Sequence, residues 1–230
     1  MFIKRLSDWE ERAMYRTAAA AGELLDALGF PWWMSHGTLY GSWCFHGILP
    51  WDDDIDFGFP RAHVSALEEA VKFTEWRFYR HNPFMAKIWK PREAAHATRH
   101  PWTWPFVDLA LYDLFPGSRQ VLVEYGLGTK YALFGVDEML PTARYRYGDL
   151  SLPVPRLPEV FLDRIYPPWR TEARSADWCH RTEGWYAEPP VWASNRDVAD
   201  SYPDRPMYHV DLNAPRVRDQ GDGRPPCPAS

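Results

Sequence analysis

Small and apolar residues recur at helical spacing over the first thirty residues of the chain. From Trp9 onwards they appear every three to four positions. Ser7 and Glu10 have the spacing of a capping box, and Gly29 stands where glycine commonly ends a helix. The pattern therefore predicts a helix over residues 8–28.

Short apolar runs bounded by turn residues follow this helix and predict strands. We expect strands over residues 30–35, 53–59, 76–80, 85–89 and 106–115, and helices over 39–46, 61–73 and 159–166. Thr38 is the candidate N-cap of the helix at 39–46. The strand at 106–115 is almost entirely apolar, which favours a central place in a sheet. Residues 121–136 fit either strand or loop.

This order of elements predicts an α/β or α+β fold, in which helices pack on a sheet. From residue 203 to the end the chain is polar, holds six prolines and has no sustained period. We expect a loosely ordered tail there. One domain followed by a tail is the simplest organisation.

Composition and charge exclude several classes of protein. The chain has 230 residues and a net charge of −5, from 26 basic and 31 acidic residues, which argues against a nucleic-acid partner. It has no apolar run long enough to span a membrane and no apolar segment typical of a secretory signal. Three scattered cysteines do not predict a zinc site or a disulfide framework.

Residues 51–56, which read W-D-D-D-I-D, carry the strongest chemical signal. On an extended strand Asp52, Asp54 and Asp56 share one face, and Asp54 and Asp56 are about 7 Å apart along the backbone. Carboxylates in this arrangement predict a site for a hard divalent cation, Mg²⁺ or Mn²⁺. The alternative is a solvated acidic loop, which the flanking Trp51 and Phe57 disfavour.

A stretch of small residues precedes the acidic run by about fifteen positions. Small residues at a helix N-terminus expose backbone N–H groups, which bind anions. A plain tight turn is the alternative. The candidate phosphate contacts in this stretch are Gly37, Thr38, Gly41 and Ser42.

Asp108 is a charged residue inside an apolar strand. A buried charge needs a partner or a metal, and a neighbouring strand would bring Asp108 beside Asp54 and Asp56. We expect Asp108 to be a metal ligand or the base that activates an acceptor hydroxyl. The alternative is a salt bridge to an arginine.

Four further residues are secondary candidates for phosphate or acceptor contacts. Lys87 and Lys90 lie on and just after a predicted strand, and the alternative for both is a solvated edge strand. Trp102 and Trp104 follow a loop rich in His and Arg. Their rings suit sugars or a quaternary ammonium, and the alternative is packing in the core.

Two sequence blocks resemble the LicD family, which includes bacterial phosphorylcholine transferases and the fukutin-like ribitol-phosphate transferases. Residues 35–41 read S-H-G-T-L-Y-G and residues 47–56 read G-I-L-P-W-D-D-D-I-D, which is close to the family's motif. Asp108 and Asp113 resemble the acidic pair of its next strand block. A weaker similarity over 152–166 extends the resemblance to roughly residues 20–170.

The resemblance implies a nucleotidyltransferase-like mixed β-sheet flanked by helices. It places a catalytic domain at residues 1–170 and leaves 171–230 as an extension that is partly disordered after about 203. Many members carry Arg at the position of Cys44, and here His46 is the candidate replacement for its phosphate contact.

The implied activity is transfer of a phosphorylated alcohol, such as phosphocholine or ribitol phosphate, from a CDP-activated donor to a glycan hydroxyl. Asp54, Asp56 and Asp108 are then the catalytic and metal-binding residues, with Asp52 as a further ligand. A nucleotidyltransferase that acts on a small acceptor is a second interpretation, and a catalytically silent glycan-binding protein is a third. We expect a cytoplasmic location, since bacterial-type members use soluble CDP donors.

Overall fold

The computed structural model describes residues 6–115, 117–125, 130–187 and 189–213. The fold is mixed α/β, as predicted, with helices packed on one mixed sheet. The helices are α1 (Asp8–Ala27), α2 (His36–Phe45), α3 (Val64–Val71), α4 (Val136–Met139), α5 (Pro158–Ile165) and α6 (Asn195–Ser201). The strands are β1 (Trp33–Met34), β2 (Asp56–Pro60), β3 (Arg77–Asn82), β4 (Met85–Trp89), β5 (His96–Ala97), β6 (Thr103–Trp104), β7 (Val107–Phe115), β8 (Gln120–Tyr125), β9 (Lys130–Gly135), β10 (Ala143–Tyr147), β11 (Leu150–Val154), β12 (Glu172–Arg174), β13 (Trp178–Cys179), β14 (Gly184–Trp185) and β15 (Trp192–Ser194).

Strand β7 is the centre of the main sheet. The order is β1-β2-β7-β4-β3, and the far half of β7 pairs with β8, which in turn pairs with β9. Strands β2 and β7 run parallel and place Asp56 opposite Asp108, whereas β4 and β8 run antiparallel to β7. The predicted central strand at 106–115 and the hairpin of β3 and β4 are confirmed.

The first helix also follows the sequence pattern. The Glu10 carboxylate accepts a hydrogen bond from the Ser7 backbone N–H at 2.8 Å, which is one half of the capping box. Gly29 has φ +71°, a left-handed conformation that glycine adopts without strain. The helix α1 therefore starts and ends where its caps predict.

The elements around the acidic run differ from the sequence-based expectation. Helix α2 begins at His36 with Ser35 as its N-cap, and not after Thr38. The reason is tertiary, because the Ser35 N–H is held by the Asp56 carbonyl at 2.9 Å while the Ser35 carbonyl accepts from Leu39 at 2.8 Å. Strand β2 begins only at Asp56, so residues 52–55 form a loop that enters the strand.

Three other expectations are refined. The predicted strand at 30–35 is reduced to the two residues of β1. The predicted helix at 61–73 is a 3₁₀ turn, Arg61–His63, followed by α3. Within the ambiguous segment at 121–136, residues 121–125 and 130–135 belong to the antiparallel pair of strands β8 and β9.

Part of the C-terminal segment is anchored to the main body of the fold. Residues 203–213 have no regular secondary structure, but the Tyr208 ring stacks on His46 at 3.7 Å and the Tyr208 N–H donates to the Cys44 carbonyl. Arg205 pairs with Glu11. These contacts place Arg205 and Tyr208 against the main body of the fold. Residues 214–230 lie outside the described residues, and the expected loose tail stays a prediction.

Many of the aromatic side chains are in the core. Trp33 is fully buried and stacks on Tyr112 with ring centroids 4.2 Å apart. A Cβ at Gly58 would lie 2.5 Å from Nε1 of Trp33, so only glycine allows this close approach of ring and strand. Within the described ranges, no helix has both the length and the apolar character that a membrane crossing requires.

Candidate active site

The parallel pairing of β2 and β7 brings the predicted carboxylates together. Asp56 and Asp108 are register partners, and the Asp108 N–H donates to the Ile55 carbonyl at 2.7 Å. Asp54 lies two positions before the first residue of β2. The sequence-based expectation that a neighbouring strand places Asp108 beside Asp54 and Asp56 matches this geometry.

The N-terminus of α2 holds the same strand from the other side. The Gly37 N–H donates to Oδ2 of Asp56 at 3.2 Å, and the Asp56 N–H donates to Oγ1 of Thr38 at 2.8 Å. A Cβ at Gly37 would lie 2.4 Å from Oδ2 of Asp52. The glycine therefore allows the acidic loop to lie against the start of the helix.

Gly37, Asp52, Asp54 and Asp56 line one end of a pocket of about 400 Å³. Its walls come from the segment after α5 and from β12, and they include both aromatic and cationic side chains. The residues that line it include Gly37, Tyr40, Trp51, Asp52, Asp54, Asp56, Lys130, Tyr166, Trp169, Arg174, His180 and Trp192. The pocket is thus lined by carboxylates at one end and by aromatic rings, Lys130 and Arg174 elsewhere.

The carboxylates in the pocket repel one another. Burial raises the pKa of Asp52, and the charges of Asp54 and Asp56 raise it further. Burial also raises the pKa of Asp56, with additional contributions from Asp54 and Asp108. Placing a cation among these groups would relieve the repulsion, because an opposite charge favours the ionised form.

Asp108 has a cationic partner, but it is a lysine and not the arginine weighed as an alternative. Nζ of Lys87 donates to Oδ1 of Asp108 at 2.7 Å, and both side chains are nearly inaccessible. Burial raises the pKa of Asp108, and the Lys87 charge opposes that rise. Neither Lys87 nor Asp108 is among the residues that line the pocket.

Asp53 has a different role from its acidic neighbours. It is fully buried, and its carboxylate accepts hydrogen bonds from the backbone N–H groups of His180 and Arg181 and from the Cys179 thiol. Burial alone would raise its pKa, but the bonds and charge of His180 together with these contacts lower the pKa to about 2. Asp53 thereby fixes the turn between β13 and β14 against the acidic loop.

His180 is the site residue that sequence reasoning missed. Its Nε2 lies 3.3 Å from Oδ2 of Asp54. Ligand atoms of Asp54, Asp108 and His180 all lie within 4.8 Å of one another. Oxygen and imidazole donors at this spacing fit a divalent cation. No periodic pattern or short motif marks residues 178–186, so the sequence held no local signal for this histidine.

Most of the predicted phosphate contacts lie elsewhere. Gly37 lines the pocket, but its N–H already serves Asp56. Gly41 packs against the backbone of residues 47–49, and the Ser42 hydroxyl donates to the Arg146 carbonyl at 2.7 Å. His46 sits beyond the opposite, C-terminal end of α2 and stacks on the anchored C-terminal segment. The expectation for Gly41, Ser42 and His46 therefore disagrees with the geometry.

The secondary candidates are also placed differently from the expectation. Lys87 lies on β4, which pairs on both sides, so it is not on an edge strand. Lys90 pairs with Glu93 on the surface. Trp102 and Trp104 are buried, and their indole N–H groups donate to Glu183 and to the Asp53 carbonyl. Both rings pack in the core, which was the alternative considered for them.

Comparison with known proteins gives a family match over more than half of the chain. The nucleotidyltransferase domain of LicD/FKTN/FKRP matches residues 29–157. An uncharacterized protein of Rickettsia typhi is 27% identical over 168 residues, which are 72% of this chain and 49% of that protein. An uncharacterized protein of Rickettsia prowazekii is 24% identical over 170 residues, 72% of this chain and 58% of that protein. The chain thus spans about half the length of the relatives it matches.

Two solved structures show remote similarity. The lincosamide antibiotic adenylyltransferase LnuA in its lincomycin-bound form gives a TM-score of 0.40 at 13% identity, covering 61% of this chain and 78% of that one. ANT(2″)-Ia in complex with adenylyl-2″-tobramycin gives a TM-score of 0.36 at 13% identity, covering 66% and 79%. Neither similarity is close enough to indicate a substrate.

Proposed function

The chain belongs to the LicD/FKTN/FKRP family, and on this premise we propose that it is a metal-dependent phosphotransferase. It moves a phosphorylated alcohol, such as phosphocholine or ribitol phosphate, from a CDP-activated donor to a hydroxyl of a glycan. The observation that carries the proposal is the proximity of Asp54, Asp56 and Asp108 inside the matched region. Asp56 and Asp108 are partners on parallel strands, ligand oxygens of Asp54 and Asp108 lie within 4.8 Å of each other, and Asp54 and Asp56 line the pocket.

The acidic end of the pocket suits Mg²⁺ or Mn²⁺. Asp54, Asp56 and Asp108 would hold the cation, with Asp52 beside them, because carboxylate oxygens are the ligands these cations prefer. When bound, the cation would neutralise charge on the donor phosphates. The mutual repulsion of the carboxylates supports the assignment, since it is relieved by a positive charge.

Lys87 and Asp108 act as a unit. The Lys87 ammonium holds Oδ1 of Asp108 and so fixes the direction of Oδ2. Asp108 serves either as a ligand or as the base that takes the proton of the acceptor hydroxyl. Loss of Lys87 would leave a buried carboxylate both unpaired and unoriented.

The remaining pocket surface suits the donor. Its volume lies in the range usual for small-molecule sites. Lys130 and Arg174 line it and provide positive charge for phosphates. The half-exposed ring of Trp192 offers an apolar face for a base or a sugar. The buried Tyr40 hydroxyl has no hydrogen-bond partner within the described residues and would gain one from a ligand. Donor phosphates are thus assigned to this wall. Gly37 is retained only as a lining residue, since its N–H donates to Asp56. The other predicted contacts do not line the pocket and are left out: Thr38, Gly41, Ser42 and His46.

A nucleotidyltransferase that acts on a small acceptor is the second candidate, because the matched domain carries that description. The two reactions differ in the bond that breaks in the pyrophosphate. Transfer of a phosphorylated alcohol from a CDP donor releases CMP, whereas nucleotidyl transfer from a nucleoside triphosphate releases pyrophosphate.

Ligand-dependent thermal unfolding tests the proposal. The wild type is heated with Mn²⁺ or Mg²⁺ and a panel of CDP-alcohols, CTP and ATP, since a ligand that binds the folded state raises the midpoint. We expect a cation-dependent rise with one CDP-alcohol that is absent in Asp54→Asn and Asp56→Asn. Asp113→Asn is the matched control, because Asp113 lies on the same strand as Asp108 but pairs with Arg61.

Two outcomes contradict the proposal. A rise with CTP or ATP but with no CDP-alcohol favours the nucleotidyltransferase. Equal shifts in the wild type, Asp54→Asn and Asp56→Asn would mean that the acidic end of the pocket does not take part in donor binding.

A further inference from the structure

We propose that His180 is a ligand of the divalent cation, that Asp53 orients its ring, and that the site therefore prefers Mn²⁺ to Mg²⁺. The inference rests on the proposed cation site and adds to it a nitrogen ligand from outside the matched region. Residue 180 follows β13, more than twenty positions after the match at residues 29–157 ends.

The two ring nitrogens of His180 face two different carboxylates. Nε2 points to Oδ2 of Asp54 at 3.3 Å, and Nδ1 lies 3.1 Å from Oδ1 of Asp53. The ring is held in this orientation by the turn that carries it. Nε2 is thereby directed toward the space that Asp54 and Asp108 share.

Asp53 is built to fix this orientation. Its carboxylate is fully buried and also accepts from the backbone N–H groups of residues 180 and 181. A carboxylate that accepts from Nδ1–H selects the tautomer with a free lone pair on Nε2. Histidines that bind metals in proteins almost always donate their other ring N–H to such a partner. Asp53 and His180 have this arrangement, with Nδ1 of His180 facing the Asp53 carboxylate and Nε2 facing the space between Asp54 and Asp108.

The competing interpretation is that His180 acts as a cation that neutralises Asp54. The two roles have opposite consequences for metal binding. If His180 is a ligand, its removal weakens the binding of a cation. If it is a positive charge in the place of the metal, its removal leaves the affinity unchanged or raises it.

The nitrogen ligand has a consequence for the identity of the cation. Mg²⁺ demands oxygen ligands in near-ideal octahedral geometry. Imidazole is a better ligand for transition ions, and Mn²⁺ accepts it together with carboxylates. A site with Asp54, Asp108 and His180 therefore selects Mn²⁺ over Mg²⁺.

The test uses Mn²⁺ and Mg²⁺ alone, with the full chain and without any substrate. Affinities are measured by calorimetric titration, and electron spin echo envelope modulation of bound Mn²⁺ detects a directly coordinated ¹⁴N. The variant is His180→Asn, whose side-chain amide can still donate to Asp53 while the nitrogen at Nε2 is lost. Asp53→Asn is the second variant, since it keeps the imidazole and replaces the carboxylate that orients it by a neutral amide with one acceptor oxygen.

We expect the ¹⁴N signal in the wild type and its loss in His180→Asn. Mn²⁺ affinity should fall about tenfold or more in His180→Asn, with a smaller change for Mg²⁺, and also fall about tenfold in Asp53→Asn, in line with the loss of orienting partners at metal sites. Thermal unfolding without a cation, compared between the variants and the wild type, shows whether the fold survives.

Four results would overturn the inference. Bound Mn²⁺ without ¹⁴N coupling, or equal or tighter Mn²⁺ binding by a folded His180→Asn, removes His180 from the ligands and leaves the proposed transferase intact. Equal affinity of the wild type for Mg²⁺ and Mn²⁺ removes the claimed selectivity. Absence of any cation binding by the wild type overturns both this inference and the metal dependence of the proposed function.

Discussion

Replacing Asp53 by Asn should destabilise the metal-free protein, whereas the same change at the adjacent Asp52 should not. Asp53 is fully buried and accepts several hydrogen bonds from residues 179–181. Asp52 faces other carboxylates, and burial together with the Asp54 charge raises its pKa. Asp53→Asn therefore removes a charge that hydrogen bonds stabilise, whereas Asp52→Asn removes a charge that neighbouring carboxylates destabilise.

The magnitude for Asp53 follows from its pKa. The fall from the usual 3.8 to about 2 corresponds to about 2 kcal/mol of stability at neutral pH. The Asn amide also places an N–H donor where the wild type has an acceptor oxygen facing the N–H groups of residues 180 and 181. Buried groups left without a hydrogen-bond partner cost about 1–3 kcal/mol. We expect a loss of about 3–5 kcal/mol, or roughly 6–20 °C in the unfolding midpoint for a chain of this length.

The pH dependence provides an internal check. The folded-state pKa of Asp53 is lowered, so its contribution is fully present above pH 3.8 and is lost as the pH falls through about 2. The stability difference between wild type and Asp53→Asn should be constant from pH 5 to neutrality and should narrow below about pH 4.

Urea unfolding followed by tryptophan fluorescence, in buffer with a chelator, measures both variants. Asp52→Asn should be as stable as the wild type or more so. The reasoning is refuted if Asp53→Asn matches the wild type, or if the two variants lose equal stability at neutral pH.

The remaining predictions concern Lys87, Gly37 and Glu10. Lys87→Met should lower the free energy of unfolding of the metal-free protein by about 3 kcal/mol, because it leaves the Asp108 carboxylate buried and unpaired. Urea unfolding measures this loss, and a variant as stable as the wild type would contradict the pairing. Gly37→Ala should keep the fold but lower the Mn²⁺ affinity about tenfold, because the new Cβ displaces Asp52. Calorimetric titration measures the affinity, and an unchanged value would exclude a role for Asp52 in cation binding. Hydrogen bonds from Ser7 and Arg181 outweigh the effect of burial and lower the pKa of Glu10 to about 2. Glu10→Gln should therefore lower the unfolding midpoint at pH 7, and the midpoints of the variant and the wild type should converge as the pH falls toward 2. Thermal unfolding from pH 2 to 7 tests this.

The fold class and the acidic end of the pocket could be predicted because their signals are local. An aspartate in an apolar strand, such as Asp108, is anomalous wherever the strand lies, since its charge needs a partner. The W-D-D-D-I-D run is recognisable for the same reason, since its clustered carboxylates need a positive partner. Register could not be predicted, but a parallel neighbour for the apolar strand was enough to bring Asp56 and Asp108 together.

The start of α2 was predicted wrongly because two caps compete. Ser35 and Thr38 are both good N-cap residues, and the choice between them depends on a bond from Ser35 to Asp56, twenty-one positions along the chain. The wrong start also affected the predicted anion site, since the Gly37 N–H near the true start of the helix donates to Asp56.

His180 could not be predicted because its place depends entirely on distant contacts. Its ring is held at the site by contacts with Asp53 and Asp54, which lie more than 120 positions earlier in the chain. The two-residue strands β13 and β14 carry no hydrophobic period that would have signalled an element. The division of the chain at residue 170 and the cytoplasmic location stay predictions.

Product analysis tests the central claim most directly. The protein is incubated with Mn²⁺, CDP-choline, CDP-ribitol or CDP-glycerol and a panel of saccharides, and CMP is quantified; a parallel reaction with CTP and the free phosphorylated alcohols is assayed for pyrophosphate. The account predicts CMP from one CDP-alcohol, dependent on the cation, and a loss of about 100-fold or more in Asp54→Asn, since charge stabilisation by a bound metal is worth several kcal/mol. Pyrophosphate without CMP, or CMP formation that is unchanged in Asp54→Asn, would contradict it.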